Sequence, residues 1–203
     1  MSELLDALAE SVDGTVRELH FEGEDLSGLE LGRVEFEDCT FSNCSFCEAR
    51  FERPSFERCD LTACDLSNAR ASSAFLRGCR LLECRAVGID LHQSILTRTS
   101  FRDCILAYAN FSESKLEQAS FVRCDLHEAT LAQLRLKHLQ IESCNLVRAE
   151  FFGTRLRGID LSGSDIASIR VSNTFTELSG AKIALDQAVD LVGLLGVKLV
   201  DIE

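Results

Sequence analysis

The sequence contains no tryptophan, one proline, one tyrosine and one methionine among its 203 residues. A single proline disfavours the linkers that join separate domains, and this length suits one domain or one repeat array with a sizeable core. No apolar run approaches the length of a membrane-spanning helix, which needs roughly 18 residues or more. No basic residue precedes Arg17, so the N-terminus lacks the positive region of a secretory signal. We therefore expect one cytoplasmic domain.

Positive charge is scarce in residues 1–60, which hold 16 acidic residues and five arginines of a chain with a formal net charge of −12. Residues 61–120 sum to about +1 and residues 121–203 to about −2. This balance disfavours direct nucleic-acid binding, which needs basic surface. It fits docking on a basic partner, and it equally fits a surface that is merely well solvated.

A bulky apolar residue returns at every fifth position of the chain. From Phe21 to Val171, 29 of 31 such positions are Leu, Phe, Ile or Val, and the exceptions are Ala71 and Ala86. Neither an α-helix nor a β-strand repeats at five, so a different geometry is specified. We call this position the centre of each pentad. The residue two before it is mostly small and is predicted to face inward beside the centre, because residues two apart in an extended segment point the same way.

The second residue after each centre is predicted to turn a corner. Glycine, which tolerates the backbone angles of tight turns, recurs there, at Gly23, Gly28, Gly78, Gly88, Gly153, Gly158 and Gly163. The number of corners in one coil follows from cysteines that recur every 20 residues: Cys44, Cys64, Cys84, Cys104, Cys124 and Cys144. Four pentads per coil predict a four-sided rod of about 7.75 coils, roughly 37 Å long at a strand spacing of roughly 4.8 Å. Its interior is expected to be filled by stacked Phe and Leu, with no room for a pocket.

Nine of the ten cysteines occupy the small inward position, where a thiol acts as a compact hydrophobe. Cys44 and Cys47 spell CxxC, but they are predicted to face opposite ways and so cannot share a zinc ion. The four histidines fall at outward positions on different coils, at His20, His92, His127 and His138. No phosphate loop or nucleotide fingerprint is present. We expect no enzyme activity, no catalytic or metal site and no cofactor.

The pentads CDLTA, CDLSN, ANFSE, CDLHE, CNLVR and IDLSG resemble the A(D/N)Lxx pattern of the pentapeptide-repeat family, over about three quarters of the chain. This resemblance implies an all-β fold, a right-handed quadrilateral β-helix. A single domain is expected, with an N-terminal cap helix in residues 1–15, the β-helix in residues 16–175 and a capping and dimerisation segment in residues 176–203. The cap helices are placed at 2–12 and near 184–195, the second stopped by Gly196 and followed by a short strand.

The C-terminal helix carries more apolar surface than one narrow coil should need. It is either a cap alone or a cap that also forms a two-fold dimer interface, through Leu185, Val189, Val192, Leu195, Val197 and Leu199. The segment resembles the dimerisation module of the mycobacterial and quinolone-resistance pentapeptide proteins, including the Gln187–Ala188 pair and the Leu195–Gly196 stop.

That resemblance implies a non-enzymatic homodimer that binds DNA gyrase or topoisomerase IV by imitating duplex DNA, and so inhibits the enzyme or protects it from quinolones or natural-product poisons. The unbroken register shows no projecting loops, which favours inhibition or self-immunity. The side chains that would imitate the charge of duplex DNA are mainly nine acids: Glu22, Asp25, Glu30, Glu35, Asp38, Glu48, Glu52, Glu57 and Asp60. The alternative is an interaction scaffold unrelated to topoisomerases, since a fold alone assigns no function.

Some positions interrupt the pattern. Ala71 and Ala86 are expected to leave the core underfilled, and Pro54 at an inward position is expected to follow a cis bond that sets a kink. Phe75 and Ile95 are predicted to form a small exposed apolar patch. A basic band at the waist is expected to solvate the surface and form ion pairs, at Arg70, Arg77, Arg80 and Arg85.

Overall fold

The computed structural model describes residues 2–11, 14–194 and 196–197, and all of these side chains except that of Asp190. Within these residues, helix α1 spans Glu3–Glu10, helix α2 spans Gln187–Leu194, and a 3-10 turn spans Thr176–Leu178. Neither α-helix has the length or apolar character to cross a bilayer. The chain between them winds as a four-sided β-solenoid, as the cysteine interval predicts.

Two seven-stranded parallel sheets form two adjacent sides of the rod. The first face consists of Thr15–Arg17, Glu35–Glu37, Ser55–Glu57, Phe75–Arg77, Ile95–Thr97, Lys115–Glu117 and Arg135–Lys137. The second face consists of His20–Glu22, Thr40–Ser42, Asp60–Thr62, Arg80–Leu82, Ser100–Arg102, Ser120–Val122 and Gln140–Glu142. Each residue pairs with the one 20 positions later, as Phe36 does with Phe56, which confirms the four-pentad coil.

The other two sides are held by shorter contacts, which keep the 20-residue interval except at the start of the fourth face, where Gly32 pairs with Phe51. The third face is a column of single bridges from Asp25 through Ser45 to Asp165. The fourth face begins with the strands Glu30–Gly32 and Arg50–Phe51 and continues as single bridges to Arg170. The four faces are named in this order throughout.

Left-handed residues at the corners turn the chain from one face to the next. They fall at the second residue after the centre, and the non-glycine examples have φ between 48° at Arg53 and 61° at Tyr108. Six of the seven predicted corner glycines have positive φ, and Gly163 does not. A left-handed conformation costs a non-glycine residue about 1–2 kcal/mol. Hydrogen bonds between coils offset this cost, since corner amides such as Asn43 N–H donate to the next coil (Thr62 O, 3.0 Å).

The centres stack along the rod axis. Phe21 lies on Phe41 with ring centroids 5.3 Å apart, and Phe101 lies on Phe121 at 4.9 Å. Stacked and edge-to-face aromatic pairs of this kind add to the stability that burial alone supplies.

The small inward position is a hydrogen-bond donor as well as a space filler. The thiol of Cys104 donates to the carbonyl of Leu81, on the preceding coil, at 3.4 Å, and the other eight inward cysteines repeat this contact. At some positions without cysteine a hydroxyl takes the same role: Thr99 and Ser114 donate to the equivalent carbonyls of Leu76 and Leu91 at 3.2 and 2.8 Å. Alanine, which has no side-chain donor, also fills the position, as at Ala109 and Ala129, so the position selects mainly for small size and accommodates the donors of Cys, Ser and Thr.

The core is incompletely packed at Ala71. A cavity of about 40 Å³, lined only by apolar side chains, lies there between Phe51 and Leu91 of the same face. The expectation of a filled interior is wrong at this level, because the methyl of Ala71 stands where its neighbours carry larger groups. Ala86 does not line the cavity.

The expected cis bond at Pro54 is also wrong. The described residues contain no cis peptide bond, and Pro54 is buried in the first-face ladder. Because proline has no N–H, it cannot donate a hydrogen bond, but no bond between coils is lost at this position. The carbonyl of Pro54 accepts from Phe75 N–H at 2.8 Å. A trans proline therefore fits the coil without a kink.

Both ends are covered by helices shorter than predicted. Ser2 accepts from Leu5 N–H at 3.2 Å and begins α1, and Leu4 is fully buried against the first coil. Val12, the last residue of the predicted helix 2–12, lies outside the described residues, as does all of the predicted final strand except Val197.

Filling the cavity should stabilise the protein. We expect Ala71→Val to raise the free energy of unfolding by about 1 kcal/mol, since cavities cost about 24 cal/mol per Å³. Ala86→Val is the matched control: it adds the same two methyl groups at a centre that does not line the cavity, and overpacking should cost about 1–3 kcal/mol. Chemical denaturation measures both, and a destabilised Ala71→Val would contradict the assignment.

Candidate partner-binding surface

The described interior offers no chemistry beyond packing. Those residues contain no cluster of three or more His, Cys, Asp or Glu able to hold a metal ion, and all ten cysteines are free thiols. Cys47 is half-exposed, but partial burial and the neighbouring Asp65 carboxylate raise its pKa, which opposes activation as a nucleophile. The outward side chains are the groups that a partner protein could contact.

The nine predicted acids do not lie along one edge. The structure distributes them over the faces and corners of the N-terminal coils: Glu35 and Glu57 on the first face, Glu22 and Asp60 on the second, Asp25 on the third, Glu30 and Glu52 on the fourth, and Asp38 and Glu48 at corners. They form an acidic sleeve around these coils. We use this name, the acidic sleeve, for the nine residues together.

Arginines neutralise five of the nine. Glu30 pairs with Arg50 at 3.4 Å and Glu35 with Arg33 at 3.3 Å, and ion pairs with arginine also hold Asp38, Glu57 and Asp60. The other four acids are exposed and make no ion pair with any described residue: Glu22, Asp25, Glu48 and Glu52. These four carboxylates are the part of the sleeve that is free to meet a partner.

Ion pairs between neighbouring coils follow the same interval as the cysteines. Arg123 lies above Asp103 with Nε and Oδ1 2.6 Å apart, and Arg170 lies above Glu150 at 2.7 Å. Seven further pairs share this interval. Sequence reasoning missed these ladders, although the interval read from the cysteines would have found them.

The waist arginines divide into two groups. Arg77 and Arg80 form ion pairs one coil back, with Glu57 and Asp60, which confirms the pairing expected of the basic band. Arg70 and Arg85 make no ion pair with a described residue. Ile95 is 43% exposed, while Phe75 below it is half-buried, so the predicted apolar patch is small.

The C-terminal helix presents two different faces. Leu191 and Leu194 pack against the core, and the buried side chain of Gln187 donates to the carbonyls of Leu161 and Ser164 while accepting from Ala184 N–H at 2.8 Å. Gln187 thus fixes the helix to the last coil, which gives a physical role to the Gln–Ala pair singled out in the sequence.

The opposite side of this segment is apolar and open. Leu185 is 90% exposed, Val189 56% and Val197 52%, and Val192 is half-buried. Leu195 and Leu199, which complete the predicted interface, lie outside the described residues. We call Leu185, Val189 and Val197 the C-terminal apolar patch.

Glu117 shows how strongly these surface ladders bind their carboxylates. Its Oε2 lies 2.8 Å from Lys115 Nζ and its Oε1 contacts Lys137 Nζ one coil later. Hydrogen bonds from Lys115 and Lys137 lower the pKa of Glu117 to about 2.

This pKa should be measurable by carboxyl NMR. A depressed folded-state pKa means that the contribution of Glu117 is complete above its ordinary pKa near 4.3 and is lost as pH falls through about 2. Lys137→Met should move the midpoint upward, whereas Lys182→Met should leave it unchanged. A parent midpoint near 4.3 would contradict the double lysine contact.

The repeat itself matches a known family model. The model for the pentapeptide repeat region matches residues 33–111 and 53–131, which together span about half of the chain. No curated protein is significantly similar in sequence.

Solved structures with a similar course of chain include full-length QnrB1, a plasmid-mediated fluoroquinolone resistance protein, at 22% identity and a TM-score of 0.34, covering 91% of this chain and 100% of that one. A pentapeptide repeat protein from the cyanobacterium Cyanothece 51142 has 12% identity and a TM-score of 0.30, with 89% and 97% covered. HetL, from the cyanobacterium Nostoc sp., has 16% identity and a TM-score of 0.23, with 90% and 94% covered. At these values the likenesses carry no argument about function. The five-residue repeat, its four-sided coil and the family-model match show that the chain belongs to the pentapeptide-repeat proteins.

Proposed function

We propose that this protein is a non-enzymatic, cytoplasmic binder of a type II DNA topoisomerase, gyrase or topoisomerase IV, which it engages as a substitute for duplex DNA. Fluoroquinolone resistance, the property named for QnrB1, concerns the same class of enzyme as this proposal. Its support comes from the surface of this chain.

The observation that carries the proposal is the linear charge density of the N-terminal coils, residues 14–60, which contain the acidic sleeve. Residues 14–60 contain 12 acids and five arginines, a net charge of −7 over 47 residues. At 20 residues per coil this is about −3 per coil, or per roughly 4.8 Å of rod. Duplex DNA carries one negative charge per about 1.7 Å of axis, which also gives about three per roughly 4.8 Å. A groove built for a duplex would therefore meet a similar electrostatic field.

The shape of the surface supports the same partner. The acids surround the coils instead of lying on one edge, so the field is presented on several sides, as a duplex presents its two phosphate strands. The parallel ladders of every coil fix the carboxylates on a rigid frame. A preorganised frame lowers the entropy lost on binding.

The active form in this proposal is a homodimer joined through the C-terminal apolar patch. Three large apolar side chains that are more than half exposed at one end of a small rod are a surface that a second copy would cover. Two-fold pairing there would place the two acidic sleeves at the far ends of a longer rod.

Charge removal tests the topoisomerase proposal. The triple variant Glu22→Gln, Glu48→Gln and Glu52→Gln keeps size and polarity but removes three unpaired carboxylates. We expect the protein to inhibit gyrase supercoiling, or to rescue it from a fluoroquinolone, and this variant to need at least roughly tenfold more protein for the same effect.

The matched control removes the same charge from the rest of the rod, by Glu83→Gln, Glu113→Gln and Glu142→Gln. These glutamates are exposed and lie outside the sleeve, so the control should act like the parent. If both triple variants lost the effect on the topoisomerase equally, that effect would depend only on the net charge of the protein. No effect of the parent on either topoisomerase would contradict the proposal.

Light scattering on a sizing column tests the dimer separately. We expect twice the 22.5 kDa chain mass for the parent and a monomer for Val189→Asp, because a carboxylate would be desolvated in the interface. Ile95→Asp, which places the same charge on another exposed apolar residue, should remain a dimer. A monomeric parent would contradict dimerisation through this patch.

The second candidate function is a scaffold for another protein. The pairing of five of the nine acids with arginines favours it, because those carboxylates are already satisfied within the rod. A parent protein that dimerises but leaves both topoisomerases unaffected would support the scaffold.

A further inference from the structure

The alternation of acid and base between coils fails at the C-terminal end of the first face. Arg135 and Lys137 lie in the strand Arg135–Lys137, and Arg155 and Arg157 occupy the corresponding positions one coil later. All four side chains are exposed. By the 20-residue interval the second pair of cations follows the first, although the paired strands of this face end with Arg135–Lys137. We call these four residues the basic grid.

Few acids are available to neutralise the grid. Glu117, on the coil below, contacts Lys115 and Lys137, and Glu113 accepts from Gln93 at 2.9 Å. Glu177, on the coil above, is buried and turned inward, where it accepts from Gly153 N–H at 2.9 Å and from the Ser172 hydroxyl at 2.8 Å.

Three of the four grid cations thus lack an ion-pair partner. No described residue forms an ion pair with Arg135, Arg155 or Arg157. The residue at the adjacent corner, His138, supplies no negative charge. The net charge of the segment 121–203 conceals this separation of charge between faces, because described acids such as Asp125, Glu142 and Glu150 lie on other faces.

The grid has a position fixed by the fold. Leu156 N–H donates to Glu177 O at 2.9 Å, and Gly158 N–H donates to Gly180 O at 2.8 Å, so the backbone between Arg155 and Arg157 is held in the coil. A Cβ on Gly180 would come 3.0 Å from Arg157 Cγ, so the stem of this arginine lies directly on the last coil.

Such an arrangement costs stability. Like charges directly opposite on neighbouring strands repel, as Lys115 and Arg135 do on this face, whereas eight ion pairs elsewhere on the rod join opposite charges one coil apart. A rod selected only for its own stability would place an acid at one of these positions. An anionic ligand would remove the repulsion.

We propose that the basic grid binds the phosphate backbone of double-stranded nucleic acid. The planar guanidinium groups of Arg135, Arg155 and Arg157 match phosphate oxygens through paired N–H donors. Four exposed cations on one side of the rod suit the negatively charged phosphates of a duplex.

The face favours a duplex over a single strand. Proteins that hold single strands combine cations with aromatic side chains on which bases stack. No Phe, Tyr or Trp occupies an outward position of the first face from Lys115 to Arg157, and the exposed Phe152 lies on the neighbouring fourth face, before the corner at Gly153. The contact would be to the backbone and independent of base sequence.

The overall negative charge does not prevent this contact. The acidic sleeve ends at Asp60, almost four coils before Arg135, which is roughly 18 Å along the rod. Charges at this distance are largely screened at physiological salt, where the Debye length is about 8 Å. The expectation of no nucleic-acid contact, drawn from summed charge, is revised on this face. The proposal does not depend on topoisomerase binding.

Fluorescence anisotropy of a labelled 20-base-pair duplex, without any topoisomerase, tests the grid on the full chain. We expect saturable binding at 50 mM salt that weakens with salt, with a slope of log K against log salt of roughly −0.9 per phosphate contact. The double variant Arg135→Gln and Arg155→Gln should bind at least roughly tenfold more weakly and lose about two units of slope. The control variant removes two exposed arginines elsewhere, by Arg70→Gln and Arg98→Gln. It should leave the duplex affinity and the salt slope unchanged.

A second variant separates binding from folding. Arg135→Glu places an acid directly opposite Lys115 on the neighbouring strand, so its melting temperature should be no lower than that of the parent while duplex binding is lost. Three results would overturn the proposal: no saturable duplex binding at 50 mM salt, an equal loss in the Arg70/Arg98 control, or tighter binding of a poly-glutamate peptide than of the duplex.

Discussion

The hydrogen bond between a backbone N–H and a carbonyl of the next coil is the contact on which this structure depends. It fixes the same one-coil offset on all four faces, and every other regularity repeats that offset. The phenylalanine stacks, the thiol donors and the surface ion pairs all join residues on neighbouring coils. The left-handed corners are tolerated because the same hydrogen bonds hold them. A solenoid of this kind is stabilised mainly by contacts between neighbouring coils, which leaves its sides and ends as the surfaces that a partner can contact.

Because each coil fixes its outward residues, the surface can be read as columns. One column can carry alternating charges that neutralise each other, and the next can carry charges of one sign. The acidic sleeve and the basic grid are both departures from the neutral pattern, at opposite ends of the rod. The apolar patch beside the grid is a third departure. In our proposals each has a different partner: a topoisomerase, a duplex backbone and a second copy of the chain.

The sequence predicted the fold in detail because packing set every fifth residue. The period of Phe and Leu predicted the inward centres, and the cysteine interval predicted the length of a coil. Other features needed three dimensions. The donor role of the cysteines depends on a carbonyl of the preceding coil, which no local pattern indicates. The cavity at Ala71 depends on how Phe51 and Leu91 fail to fill the gap. The trans bond at Pro54 follows from a coil geometry that already suits a residue without an N–H.

The candidate surface was harder to predict than the fold. Nine acids could be named, but sums along the chain could not assign them to faces, and ion pairs to Arg50 or Arg58 were missed. The same sums hid the basic grid, since Arg135 and Arg155 lie one coil apart and each is followed by acids that lie on other faces. Charge counted by column, at the interval the cysteines supply, would have revealed both.

The most direct test of the central claim is competition for the enzyme between this protein and duplex DNA. The affinity of the parent protein for the DNA-binding core of gyrase or topoisomerase IV would be measured with increasing duplex, at 200 mM salt, where contacts made by the grid are weak. If the rod substitutes for DNA, its apparent Kd should rise in proportion to the duplex concentration. Equal binding to free and DNA-loaded enzyme, or no binding at all, would contradict the account.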